Sequence, residues 1–265
     1  MFSQYLTLIL IAIAGLYGRG WVQLRKTLSD VLPPWRLGAF ASGLLCVWAV
    51  AASPLAMLHH RMLTAHMVQH LLLMTVAAPL ILMGAPVITM MHGLPQRFVN
   101  RFLVPLLRWP PMHGLGRAIT HPVFCWLISS AVVISWHVPS LFMVGMRWHE
   151  LEFSTFFAAG LLFWWPVIQP WPSLARWPEW SIPLYLFLAT LPCDALSAFL
   201  AFYGRVIYPH YLSANPMFAV SALGDQEWAG ALMWLWVTFV YLAPAVVVTV
   251  QMLSPQRRAS NAEVI

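Results

Sequence analysis

Charge is what this 265-residue chain has least of: Asp, Glu, Lys and Arg together make up 8% of it, against roughly 25% in an average soluble domain. With 61% hydrophobic residues and a mean hydropathy of +0.75, it has no polar coat for a soluble fold. Cysteine is scarce as well. Cys46, Cys125 and Cys193 sit in separate apolar runs without Cys-x-x-Cys spacing, which speaks against a thiolate metal site and a disulfide framework and leaves them as packing residues. No nucleotide-binding loop, nucleophile elbow or His-Glu-x-x-His is present. "HELEF" at His149 shares only two letters with that zinc motif, so Glu150 receives no general-base role and the chain reads as a non-enzyme. The net charge of +6 comes from dispersed basic residues rather than a patch, which gives a nucleic-acid partner little support.

Long apolar runs are plentiful. A helix needs about 20 mostly apolar residues to cross a bilayer core of roughly 30 Å, and seven such runs appear, at 2–17, 37–58, 65–90, 121–142, 149–168, 182–203 and 228–253. Open strands leave backbone groups unsatisfied in lipid, and the alternation of a barrel is missing. The expected fold is therefore all-α: one integral membrane domain over 1–265, a polytopic bundle of about seven transmembrane helices without internal repeat. The first run is not expected to be a cleaved signal peptide, because its first basic residue, Arg19, follows the apolar stretch.

Basic residues set the expected orientation. Arg19, Arg25, Lys26, Arg36, Arg97, Arg101, Arg108, Arg117, Arg176, Arg257 and Arg258 fall on one side, eleven in all; Arg61, Arg147 and Arg205 fall on the other. The positive-inside rule then puts the N-terminus outside and the C-terminus in the cytoplasm. Between the third and fourth runs, Arg97, Arg101 and Arg108 alternate with Phe98, Phe102 and Leu106 as in a helix lying on the inner surface.

Polar residues gather toward the outer side. The stretch "HHRMLTAHMVQHLLLMTVAAPLILMGAP" begins at His59, and in a helix Met62, His66, His70 and Met74 recur at four-residue steps on one stripe, with His59 near the same line. Imidazole and thioether ligands suit copper, particularly Cu(I), whereas Mg or Ca wants oxygen ligands. The same residues can also serve the bundle, histidine by bonding a neighbouring helix and methionine by packing. His137 precedes Pro139, whose ring should end or bend the helix there, and lies about 16 residues, or ~24 Å, up its run, level with the third-run histidines. His149 and Glu152 are three apart on one helical face. Asp194 interrupts an apolar run, which makes it a functional candidate, and Asp225 opens the last run; both suit support of a ligand histidine. His92, His113 and His121 fall on the inner side as interfacial residues. The outward loop after Arg205, with Tyr208, His210, Tyr211 and Met217, can either cover the outer site or simply line the surface.

Several separated blocks carry a resemblance: "HMVQHLLL" with "PLILMGAP", then "WHVPSLF", "WHELEF" and "LLFWWPV", then "DALSAFLAFYGRVIYPHY" and "ALGDQEWAGALMW". Over about 65–253 the chain resembles the CtaG family of cytochrome c oxidase assembly factors. The resemblance implies a seven-span bacterial plasma-membrane protein needed to form active haem-copper oxidase, acting on an oxidase subunit at the stage of copper supply. It points to His66, His70, His137, His149, Asp194, Asp225 and Gln226. Where the family pattern has a second histidine four residues after the position of His149, this chain has Phe153. Two other classes stay open. A haem-binding electron carrier would also use intramembrane histidines, although His66 and His70 are only ~6 Å apart along the axis, too close for two macrocycles. A proton or ion transporter would use Asp194 and the outer carboxylates, but no inner pathway continues from them.

Overall fold

Backbone groups in lipid have only one another as partners, and the chain answers with helices. The structure is a computed structural model that describes residues 2–25, 33–170, 177–178, 180–213 and 220–254; Lys26, Arg176, Met217, Arg257 and Arg258 lie outside the described residues. In chain order come α1 (Phe2–Arg25), α2 (Pro34–Ala51), a 3₁₀ segment (Pro54–His60) and α3 (Leu63–Leu72), which continues through a wide π-type turn (Leu73–Ala77) into α4 (Ala78–Met83). Then follow α5 (Pro86–Gly93), α6 (Gln96–Phe98), a second wide turn (Val99–Leu103), α7 (Val104–Arg108), α8 (Pro110–Ile119), α9 (Pro122–His137) and α10 (Pro139–Arg147). The chain continues with α11 (His149–Ile168), α12 (Ser181–Phe202), a 3₁₀ turn (Pro209–Leu212) and α13 (Ala222–Leu253), and no strand occurs among the described residues. Among the described residues six helices are long and apolar enough to span a membrane, and a seventh span arises if α8 and α9, bent by 58°, count as one.

Chain breaks follow local chemistry. The third span runs from Leu63 to Met83 and stops before Ala85, which is held at a left-handed φ of 48°; Pro86 then starts α5 in a position where its missing N–H costs nothing. The Gly84 carbonyl freed at this break accepts a 2.8 Å bond from the Tyr17 hydroxyl. As expected from Pro139, α9 ends at His137 and a new helix begins. The second span ends at Ala51 rather than near 58, and the residues that follow form the 3₁₀ segment carrying His59 and His60. The last span begins at Ala222 rather than 228, because the Ser221 hydroxyl caps it, accepting from Gly224 N at 3.0 Å.

One apolar core joins the third span to the C-terminal helices, with Leu63, Met67, Phe163, Trp164, Leu186, Met233 and Tyr241 all buried in it. Two of its indoles are satisfied across helices: Trp164 Nε1 donates to Met74 O at 2.8 Å, and Trp236 Nε1 to Thr75 Oγ1 at 2.8 Å. Both acceptors lie in the wide turn, which displaces the helical ladder and leaves groups for such partners. Gly160 sets the approach of α11 to this span, since a Cβ there would stand 2.8 Å from Met74 Cα. That closeness brings the start of α11 against the histidines of α3.

Candidate metal centre

Glu152 is the hub of the site. It lies one turn into α11, is 0% exposed, and points its carboxylate at α3. Oε1 stands 3.3 Å from His66 Nε2 and 3.6 Å from His70 Nε2, and Oε2 stands 3.6 Å from His149 Nδ1. Charge-assisted N–H···O bonds run about 2.7–2.9 Å, so the carboxylate is surrounded without being bonded. Both of its oxygens, both His70 nitrogens, His66 Nδ1, His149 Nδ1 and His59 Nε2 are buried without a hydrogen-bond partner among the described residues. Orphans of this kind normally cost several kcal/mol in a dry site, and here they are concentrated around one carboxylate.

The spacing has a specific meaning. Ligand atoms bonded to one ion at about 2.0–2.1 Å in a tetrahedral arrangement lie about 3.3 Å apart. The 3.3 and 3.6 Å separations are of that size, and one ligand atom each from His66, His70 and Glu152 lies within 4.8 Å of the others. Around this trio, His59 stacks on His149 at 3.9 Å and His60 lies against His59 at 3.8 Å. Burial first, then the neighbouring His149, push the His59 imidazole down to about 3, so its ring is neutral and its free nitrogen is a lone-pair donor. Gly145 of α10 cradles the carboxylate from the far side, where a Cβ would meet Glu152 Cδ at 2.9 Å.

Surrounding bonds fix this geometry. Asp225, in the first turn of α13, accepts from Leu63 N at 2.5 Å, Thr64 N at 3.2 Å and Thr64 Oγ1 at 2.6 Å. It therefore caps α3 in trans, satisfying amides at a helix start that otherwise have no partner. Gln226 holds the chain after α12, donating to Leu200 O and Arg205 O and accepting from Ile207 N. The loop it anchors covers the site: Tyr208 OH donates to His137 O and Tyr211 OH to His59 O, each at 2.9 Å, while Phe142 bridges Tyr208 and His66.

Several sequence expectations change place. Met62 precedes α3 with extended backbone, off the stripe, and Met74 lies in the wide turn, where it lines the cavity beside His70. Asp225 supports the site through backbone amides of α3 and not, as expected, through a histidine. Asp194 is half-buried with an unpartnered Oδ1, and its helix sends the neighbouring Cys193, not Asp194, to the cavity beside His70. His137 is buried near the trio without joining it. His92, His113 and His121 are outside it also; His92 Nδ1 bonds Ile88 O within its own helix. Glu152 and Met67 were not among the candidate ligands. The i,i+3 pairing with His149 was the one signal for Glu152, and Met67 had none.

The fold and this centre define a multi-pass helical membrane protein with a buried imidazole and carboxylate cluster at one end of its bundle. The model of the cytochrome c oxidase caa3 assembly factor family (Caa3_CtaG) matches residues 15–254, and the chain belongs to that family. Among its relatives, the uncharacterized protein ML1998 of Mycobacterium leprae (strain TN) is 25% identical over 227 residues, covering 82% of this chain and 34% of its own length. The uncharacterized protein Mb0105 of Mycobacterium bovis (strain ATCC BAA-935 / AF2122/97) is 24% identical over 254 residues, 93% of this chain and 38% of its own. The chain thus spans little more than a third of these curated relatives. No solved structure gives a significant match.

Proposed function

We propose that this protein is a non-enzymatic assembly factor that binds copper at the outer side of a bacterial plasma membrane and hands it to a haem-copper oxidase subunit. The observation that carries the reading is the buried group of His66, His70 and Glu152, with ligand atoms within 4.8 Å of one another, with both carboxylate oxygens and both His70 nitrogens lacking a hydrogen-bond partner among the described residues, and with His149 on the second carboxylate oxygen. Imidazole with one carboxylate suits Cu, Zn, Fe or Ni by donor type; membership in an oxidase-assembly family favours copper among them. The expected orientation, N-terminus outside, puts the cluster at the face poorer in arginine, where a metal arriving from outside would meet it. Copper is cargo in this reading, so weak and adaptable coordination serves better than a closed structural site.

A haem carrier fits less well. Phe156 stacks on His70 at 3.9 Å and stands edge-on to His137 at 6.4 Å, filling the space that a macrocycle bridging the two would need.

The test is a strain whose only copy carries His70→Ala. Oxidase activity should fall when copper is scarce, and added copper should partly restore it by mass action on the weakened site; His92→Ala should be silent. Purified protein should bind copper without an intense haem Soret band. Normal oxidase activity in the His70→Ala strain at matched protein level, or stoichiometric haem, would overturn the reading.

A further inference from the structure

The cluster around Glu152 leaves His137 unused, and the bonding of that ring is unusual. His137 Nδ1 lies 2.6 Å from Val133 O. A carbonyl can only accept, so Nδ1 carries the proton and the neutral ring presents a bare lone pair at Nε2. That lone pair points at Met67 Sδ, 3.2 Å away, whose own lone pairs have no proton to offer. Both residues are buried, His137 at 8% and Met67 at 1% exposure. Two soft donors thus converge from α9 and α3 with nothing between them to make the contact favourable. A soft cation would turn this contact into two dative bonds.

The adjoining cavity supplies what such a cation needs. Its volume is about 30 Å³, and its lining includes Met67, His70, Met74, His137, Cys193 and Met233. That space admits a water-sized guest and is too small for an organic ligand. Three thioethers, two imidazoles and a thiol form a softer donor set than the imidazole and carboxylate group next to it, and softness of this kind selects Cu(I) over divalent ions. His70 belongs to both places. Its Nε2 is 3.6 Å from Glu152 Oε1, its ring lines the cavity, and neither nitrogen has a hydrogen-bond partner among the described residues.

We propose that Met67 and His137 form a second, inner site for Cu(I), completed by the sulfur atoms lining the cavity and joined to the outer cluster by His70. This rests on the copper reading of the outer cluster. Passage between the two sites is a ligand exchange at His70, with Glu152 and His66 released as Met67 and His137 bind. The metal stays Cu(I) throughout, so no electron is transferred and no proton need move.

The test uses the full chain in lipid nanodiscs under anaerobic conditions, titrated with Cu(I) against a chromogenic Cu(I) chelator, with X-ray absorption at the copper edge to read sulfur neighbours. Wild type should bind two equivalents, one with sulfur scattering, with His70 ligating only one of the two at a time because a neutral imidazole has a single lone pair. Met67→Leu, which nearly conserves volume, should bind one equivalent fewer and lose most of the sulfur signal, and His137→Gln should do the same. Glu152→Gln should lose the other equivalent and keep the sulfur. Wild-type stoichiometry and sulfur scattering in both Met67→Leu and His137→Gln would overturn the inner site. A single wild-type equivalent with only nitrogen and oxygen neighbours, unaffected by Met67→Leu, would overturn it too while leaving the outer site standing. No Cu(I) binding at all would overturn both.

Discussion

Gly145→Ala should weaken copper binding while strengthening the helix that carries it. The added Cβ would stand 2.9 Å from both Cδ and Oε2 of Glu152 and 3.2 Å from Oε1. Comfortable contact between such atoms begins at about 3.5 Å, so the carboxylate has to retreat by about 0.6 Å. Metal sites hold their ligand distances within about 0.2 Å; the displacement is about three times that tolerance. Disturbing the support of a ligand typically costs 10- to 100-fold in affinity, or about 1.4–2.7 kcal/mol. Meanwhile Gly145 lies within α10, where alanine stabilises by about 0.5–1 kcal/mol over glycine. Because the atoms displaced are the end of a side chain and not backbone, the fold has no reason to yield.

Affinity and stability are therefore expected to move in opposite directions. Copper competition titration on purified protein measures the first, and thermal unfolding of the copper-free protein, followed by helical circular dichroism, measures the second. Affinity within twofold of wild type would refute the assignment of Glu152 as a ligand held in place by contact with α10. Loss of affinity together with loss of stability would refute the local mechanism, since it would mean that the helix itself had been disturbed.

Glu152→Gln removes a carboxylate that no hydrogen bond satisfies, so the copper-free protein should melt higher while copper affinity drops at least tenfold; a lower melting point would show that the charge is already compensated. Asp225→Ala exposes the first amides of α3 to a missing cap, and should cost about 1–2 kcal/mol in unfolding free energy with a smaller loss of copper affinity than Glu152→Gln gives. A reporter fused after Arg258 should be active only in the cytoplasm, and a single cysteine at Ser213 should react with an impermeant thiol reagent from outside. The reverse pattern would turn the His66, His70 and Glu152 group to the wrong face for supply from outside.

Membrane architecture was legible in the sequence because lipid imposes it residue by residue. The fifth and sixth spans, expected at 149–168 and 182–203, are helices at His149–Ile168 and Ser181–Phe202, bounded where apolar runs meet polar or proline-rich chain. Ends that depend on a distant partner were not legible. Ala222–Leu253 starts earlier than its apolar run because Asp225 and Gln226 find amides on α3 and carbonyls at the end of α12 and just after it, so burying them there costs little. Nothing within six residues of either announces that partner.

The site divides along the same line. Helical periodicity concerns one helix, and on that helix it puts His66 and His70 side by side; their rings are 4.2 Å apart. It also puts Met62 and Met74 on that stripe, which assumes an unbroken 3.6-residue repeat, although Met74 still reaches the cavity beside His70. Met62 sits before the first helical turn and Met74 inside a wide one, where that assumption fails. Conversely, Met67 follows His66 directly, and neighbours in sequence point about 100° apart on a helix, so no stripe containing His66 can include it. Only the packing of α9 against α3 brings His137 Nε2 to its sulfur. Neighbouring positions on α3 thus face different partners, His66 toward the carboxylate of α11 and Met67 toward the imidazole of α9, and His70, one turn further in, lies between them. On the proposed reading, adjacent faces of this one helix offer a cation donors of different softness at two places, and the residue common to both is the one whose loss should interrupt passage between them.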